Sequence, residues 1–368
     1  MVDLRAQAVV LGARIASAID GVLDHQQFVF GPEVAALEQA LATRTGAAEV
    51  VACANGTDAL VLSLRALGVR PGDRVVVPAF TFAATAEAVV LVGAEPVFAD
   101  IRADTFNLDA GSVEAHLGSL DGPQPVGVVA VDLFGHPADR PELQRVAAEH
   151  GWWVLTDAAQ SCGAVSPGGS AGSIGALATT SFFPSKPLGA YGDGGAVFCP
   201  SGDHAEVLRS LRNHGAGTDR YDNARVGTNS RLDAIQAAVL LEKLAIFDAE
   251  LEARERIARR YTEVLGRHGV QTPVVHHGVQ STWAQYTIRL AGRDAVASAL
   301  DARGISTAVH YRSTLADQPA FAGAATLGDL PEARSASREV LSLPMHPYLS
   351  EVDQDRVLDA VRSATGTA

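Results

Sequence analysis

Between residues 46 and 157 the chain alternates short, continuously apolar runs with stretches of helical spacing, and this rhythm restricts the fold more than any other feature. The runs 50-VVACA, 74-RVVVPAF, 95-EPVFADI, 126-VGVVAVDLFG and 152-WWVLTDAAQ are separated by 58-DALVLSLRALG, 83-AATAEAVVLVG and 139-DRPELQRVAAEHG. Strands that are apolar on both faces must be covered on both, so the pattern predicts a mainly parallel sheet flanked by helices. In such an α/β domain ligands bind beyond the carboxyl ends of the strands. The glycines of 189-GAYGDGGA follow no strand-to-helix unit, which excludes a dinucleotide fingerprint and leaves a tight turn leading into the strand AVFC.

Near Asn229 the rhythm changes. Residues 231–265 contain no glycine or proline and carry apolar residues at helical spacing, predicting one long connecting helix or a bent pair. The expected division is a large domain over 1–230 with an N-terminal helix, the connecting helix over 231–265, and a small C-terminal α+β domain over 266–368. In the small domain strands are expected at 284-AQYTIRL and 305-ISTAVHY, with a helix at 293-RDAVASALDARG and two terminal helical segments. The first twenty residues carry Asp3 and Asp20 at amphipathic spacing, which reads as a short helix packed on the body and not as a signal peptide or a membrane span.

A formal charge of −13 argues against nucleic-acid or anionic-membrane partners, so a phosphorylated ligand must have its charge met locally. The three cysteines, Cys53, Cys162 and Cys199, form no metal-ligand pattern and read as reduced, buried thiols of a cytoplasmic protein.

Cations are distributed unevenly by type: 27 are arginine and two, Lys186 and Lys243, are lysine. Lys243 follows Glu242 on the connecting helix and reads as a flexible surface cation. Lys186 lies in 181-SFFPSKPLGAYGDGGAVF, between two prolines and a run of glycines. Arginine stays protonated and is a poor nucleophile, whereas a lysine amine loses its proton readily and forms a Schiff base with an aldehyde. Read alone, Lys186 is as well explained as a solvated loop lysine.

Its companions supply what pyridoxal 5′-phosphate (PLP) needs. Asp157, ending the strand WWVLT, can hold a pyridine nitrogen protonated or simply cap the next helix. Gln160 can reach a phenolic oxygen or be a partly buried polar residue. Gly56 and Thr57, ahead of a helix, form an anion site or a plain cap, and Ser181 adds a hydroxyl. Phe82 can lie on an aromatic ring or fill the core.

In order and spacing, NGTDAL, PAFTFAAT, TDAAQ, SFFPSKPLGAYGDGG and NSRLDAIQAA resemble the DegT/DnrJ/StrS sugar aminotransferases, over essentially the whole chain. The resemblance implies a fold-type I PLP enzyme with a seven-stranded sheet, in which Lys186 carries the cofactor and Asp157 binds the pyridine nitrogen. It further implies that Gln160 lies against the ring, that Gly56, Thr57 and Ser181 hold the phosphate, and that Phe82 stacks. Asn229 would reach the phosphate site of a neighbouring subunit, making the working unit a homodimer. The segments TAVHY and LSLPMHPYL, with AQYTIRL, look most like enzymes aminating UDP-2-acetamido-2-deoxy-3-oxo-D-glucuronate, where Arg231, His310 and Tyr311 belong to the substrate pocket.

The implied reaction moves an amino group from L-glutamate to C3 of a nucleotide-linked ketosugar, with no metal. Residues 312-RST depart from those relatives, which keeps a carbocyclic ketone open as the acceptor. A non-catalytic regulator or sugar-binding homologue would have no need of Lys186, and the dehydrating branch carries histidine there.

Overall fold

The computed structural model describes residues 3–219 and 221–366. Seven strands between residues 49 and 199 build the main sheet: β1 (Glu49–Cys53), β2 (Arg74–Pro78), β3 (Glu95–Ala99), β4 (Pro125–Val131), β5 (Trp153–Asp157), β6 (Leu177–Ser181) and β7 (Gly195–Cys199). They lie in the order β1-β7-β6-β5-β4-β2-β3. Only β7 is antiparallel, to both β1 and β6, so the carboxyl ends of β1, β2, β4, β5 and β6 all open on one edge. The Val-rich strands are buried on both faces: Val51, Val76, Val129 and Val197 have no exposed surface.

An eighth strand, two residues long, comes from far down the chain. Ala325–Thr326 pairs in parallel with Val97 and Phe98 at the outer edge of the sheet. The small sheet is a pair, Tyr286–Arg289 against Val340–Leu343. The strand expected at 305-ISTAVHY does not form. Ala308 alone pairs with Ser342, through two backbone hydrogen bonds of 3.1 and 2.8 Å, and the chain then leaves the small sheet and carries His310 and Tyr311 to the edge of the large one.

The segment expected as a connecting helix is two helices, Ala234–Leu244 and Phe247–Arg267, the bent pair of the two forms considered. The break falls at Ile246 (φ −112°, ψ 2°), a partly buried residue packed with Leu11, Ile15 and Val239. The first helix, Leu4–His25, is 22 residues long and apolar enough to cross a membrane by length and composition. Here it lays Leu11, Ile15 and Val22 in the core, capped by Asp3, whose carboxylate accepts from the N–H groups of Arg5 and Ala6.

His346, 8% exposed and with Nδ1 unpartnered, is pushed down to about pKa 4, chiefly by burial. The folded state therefore holds it neutral, while the unfolded chain protonates it near its ordinary 6.5. Stability from this group is full above pH 6.5 and is lost as pH falls towards 4. Urea unfolding at pH 5 should show about 2 kcal/mol less stability than at pH 7 from this residue, and His346→Gln should flatten the slope by about that amount.

Candidate active site

The open strand edge borders a cavity of about 410 Å³. Asp157 ends β5, Ser181 ends β6, Val131 ends β4, and the loop after β2 delivers Thr81 and Phe82. Directly after β1, the helix Gly56–Ala66 points its N-terminus into the same space. Asn55 caps it, accepting from the Asp58 N–H at 2.8 Å and leaving the first N–H groups without intrahelical acceptors. A Cβ on Gly56 would stand 2.7 Å from Ser181 Cβ, and one on Gly195 would stand 2.4 Å from Asn55 O. Glycine at these two positions allows the helix end and the Ser181 hydroxyl to converge, a cradle shaped for an anion.

Lys186 reaches the cavity from the turn after β6. That turn is closed by backbone bonds: Phe182 N–H to Gly194 O and Ala190 N–H to Phe182 O, both 2.7 Å, and Lys186 N–H to Phe183 O at 2.8 Å. Burial depresses the Lys186 amine below its ordinary range, and the charge of Asp157 opposes this. The net shift is downward, which brings the free amine, the form that attacks an aldehyde, within easier reach.

Asp157 is 6% exposed, and burial raises its carboxyl above the usual range against the pull of its partners. Ala159 N–H donates to Oδ1 at 3.1 Å and the Thr85 hydroxyl donates to Oδ2 at 3.0 Å, so both oxygens are oriented and each keeps accepting capacity. Thr85 was not singled out in the sequence; its only mark there is its place at the end of PAFTFAAT.

Gln160 Oε1 accepts from Phe134 N–H at 2.6 Å, and its Nε2 donates to Tyr311 Oη at 3.4 Å. The Phe82 ring is 56% exposed into the cavity, 6.2 Å from the ring of Tyr311, and is free to meet a flat ligand. His310 Nδ1 lies 3.0 Å from Ser342 Oγ, and its pKa is lowered by burial and then by the charge of Lys186.

Nine of the expected site residues are thus brought together: Gly56, Thr57, Phe82, Asp157, Gln160, Ser181, Lys186, His310 and Tyr311. Asn229 and Arg231 are not. Asn229 is exposed and bridges to Asn213, while Arg231 donates to Asn213 Oδ1 at 3.3 Å and stands 6.0 Å from the Phe30 ring centroid, outside this chain's own cavity. Gln285 lines the cavity with an unpartnered, buried Oε1; the sequence marked its segment as a strand and as part of the resemblance, without singling out this residue. Lys243 corrects the sequence reading outright: it is 2% exposed, not a surface cation, and its ammonium is enclosed behind the Lys186 turn.

These residues fit PLP on their own chemistry: an anion cradle, a flat aromatic face, a buried oriented carboxylate, and an amine whose pKa burial lowers. Together with the sheet order they define the fold-type I class of PLP-dependent enzymes. The chain matches the DegT/DnrJ/EryC1/StrS aminotransferase family over residues 10–362. It is 44% identical to UDP-2-acetamido-2-deoxy-3-oxo-D-glucuronate aminotransferase of Pseudomonas aeruginosa, over 95% of each chain.

Among solved structures, an aminotransferase of the same family from Brucella abortus superposes with a TM-score of 0.96 at 45% identity, covering 98% of each chain. DesV of S. venezuelae, solved with a ketimine intermediate, superposes at 0.94 with 40% identity, covering 98% of this chain and 97% of that one. The chain belongs to the DegT/DnrJ/EryC1/StrS aminotransferase family, and its cofactor is pyridoxal phosphate.

Proposed function

We propose that the protein transfers an amino group from L-glutamate to C3 of a nucleotide-linked ketosugar, with Lys186 as the reactive amine. The observation that carries this is the pairing of Lys186 with Asp157 across one cavity, in a chain 44% identical to an enzyme of that activity. When bound, PLP supplies an electron sink beside the reacting carbon. Lys186 would hold the cofactor through its Nζ; as a free amine it would accept the proton from the donor carbon in the first half-reaction and deliver a proton to the acceptor carbon in the second. The Asp157 carboxylate keeps a proton on the ring nitrogen, and Thr85 and Ala159 keep it aimed. Gly56, Thr57 and Ser181 would bind the phosphate, and Phe82 and Gln160 would hold the ring.

The acceptor side needs a second copy of the chain. Arg231 and Asn229 face away from this cavity, and exposed aromatics cluster on the neighbouring segments: Phe28, Phe30, Phe183 and Tyr191 are each more than 40% exposed. A homodimer would cover them and carry Asn229 and Arg231 of one copy to the site of the other, where a guanidinium can grip a sugar carboxylate or diphosphate. The same reading places the enzyme in the cytoplasm. It also keeps the division at 230 and 265, supported by a separate small-domain cluster around Tyr261, Tyr286 and Leu341, although Leu315, Phe321 and Leu330 pack with the large domain.

The test loads the enzyme with glutamate and adds nucleotide-3-ketosugars with and without a C6 carboxylate. Glutamate should bleach the visible cofactor band and an accepted sugar should restore it; a band that glutamate leaves unchanged sinks the proposal. Arg231→Ala should raise KM for the sugar about tenfold to a hundredfold, the range of a charge-assisted hydrogen bond, with KM for glutamate within about twofold. Equal effects on both would make Arg231 structural.

A further inference from the structure

Both lysines of the chain converge on one turn from opposite sides. Lys186 presents its amine to the cavity. Lys243, on the helix Ala234–Leu244, lies behind the same turn and donates from Nζ to Gly189 O at 2.6 Å. The ammonium also sits 4.5 Å from the centroid of the Tyr191 ring. Seven residues earlier, two turns back on the same helix, Gln236 Oε1 accepts from Tyr191 N–H at 2.9 Å. The helix therefore grips the Lys186 turn at Gly189 and at Tyr191.

We propose that Lys243 is a positioning residue of the transfer reaction: its ammonium, with Gln236, clamps residues 182–191 so that Lys186 Nζ is presented at a defined place opposite Asp157. The inference rests on the assignment of Lys186 as the reactive amine.

The surroundings explain why a buried cation is tolerated there. Glu250, 5% exposed, is its counter-charge; it accepts from Gln7 Nε2 at 2.8 Å and from Tyr348 Oη at 2.5 Å, which holds the carboxylate in place. Arg254, the next cation along, spends Nη1 on Trp283 O at 3.0 Å and leaves Gly189 to Lys243. The contact point is the carbonyl of Gly189, in the buried stretch 187–190 of the turn, where a compact ammonium suits a single acceptor better than a planar guanidinium. In a chain that otherwise uses arginine for 27 of its 29 cations, lysine at this second position has a steric reason distinct from the chemical one at Lys186.

The inference is tested with Lys243→Met, Lys243→Gln and Gln236→Ala in the full chain. Amide exchange over residues 182–191, read by mass spectrometry with and without cofactor, should accelerate about tenfold or more in Lys243→Met, while the helix Ala234–Leu244 changes less than about twofold. Borohydride trapping of cofactor on Lys186 should slow by a similar factor, and kcat should fall about tenfold with both KM values nearly unchanged. Lys243→Gln, whose amide can still donate to Gly189 O, should recover part of the exchange protection and of kcat.

Gln236→Ala, with Lys243 intact, should loosen the same residues to a smaller degree, and it decides the matter if Lys243→Met does not fold. Exchange over 182–191 that stays at the wild-type rate in Lys243→Met, or in Gln236→Ala when Lys243→Met does not fold, overturns the proposal. So does a Lys243→Gln no better protected than Lys243→Met. Failure of wild-type Lys186 to take the borohydride label would instead overturn the assignment of Lys186, and the exchange data would still decide whether Lys243 clamps the turn.

Discussion

Lys186→Ala should abolish amino transfer, lowering kcat by at least about 10³-fold, because the protein then lacks both the amine that holds the cofactor and the group that moves the proton. The variant should keep its fold, since Lys186 is only partly buried and its backbone bond to Phe183 O does not depend on the side chain. Cofactor should still bind reversibly at the cradle of Gly56, Thr57 and Ser181, but borohydride should fix none of it to the chain. In the wild type, peptide mapping after borohydride should find the label on Lys186. A label on Lys243 would refute the assignment. Lys186→Arg should be nearly as inactive, for a guanidinium keeps the charge yet does not give up its proton.

Asp157→Asn should lower kcat by about 10² to 10⁴-fold, since an amide cannot hold a proton on the ring nitrogen and the electron sink is lost. A second effect runs in the opposite direction. The Asp157 charge raises the pKa of Lys186, against burial, which lowers it. With that charge removed, the Lys186 amine should lose its proton at a lower pH, so at pH 7 an amine-reactive reagent should label Lys186 of the apoprotein faster in the variant than in the wild type. Collapse of turnover together with faster labelling separates an electrostatic role for Asp157 from a merely structural one. A pH profile of labelling that does not move, or moves to higher pH, would count against the pairing.

The parts legible in the sequence were those whose physics is local. Strands covered on both faces announce themselves as unbroken apolar runs, which is why β1 to β5 appear where the runs do, and Asn55-Gly56-Thr57 marks a capped helix whatever surrounds it. The segment 305-ISTAVHY misled for the same reason: its β-branched residues suit a strand, but its pairing depends on a partner far away, and only Ala308 finds one. Thr85 and Gln285 carried no local sign, because a threonine or glutamine becomes part of a site only through what faces it.

The two lysines show where the boundary falls. By itself the sequence determined that alternating buried strands and helices would bring the end of the strand at Asp157 and the helix start at Gly56 to one edge, because those positions follow from strand ends and helix starts; that Lys186 joins them was implied by the resemblance alone. It also determined that Lys186 is set apart by type in a chain rich in arginine. Only the tertiary structure decided the place of Lys243: burial depends on what packs over a helix face, and the cover here includes the turn at Gly189, 54 positions back in sequence. Tertiary packing likewise turned Arg231 and Asn229 out of the cavity of their own chain, since the direction of a side chain is set by the neighbours its backbone meets and not by its residue type.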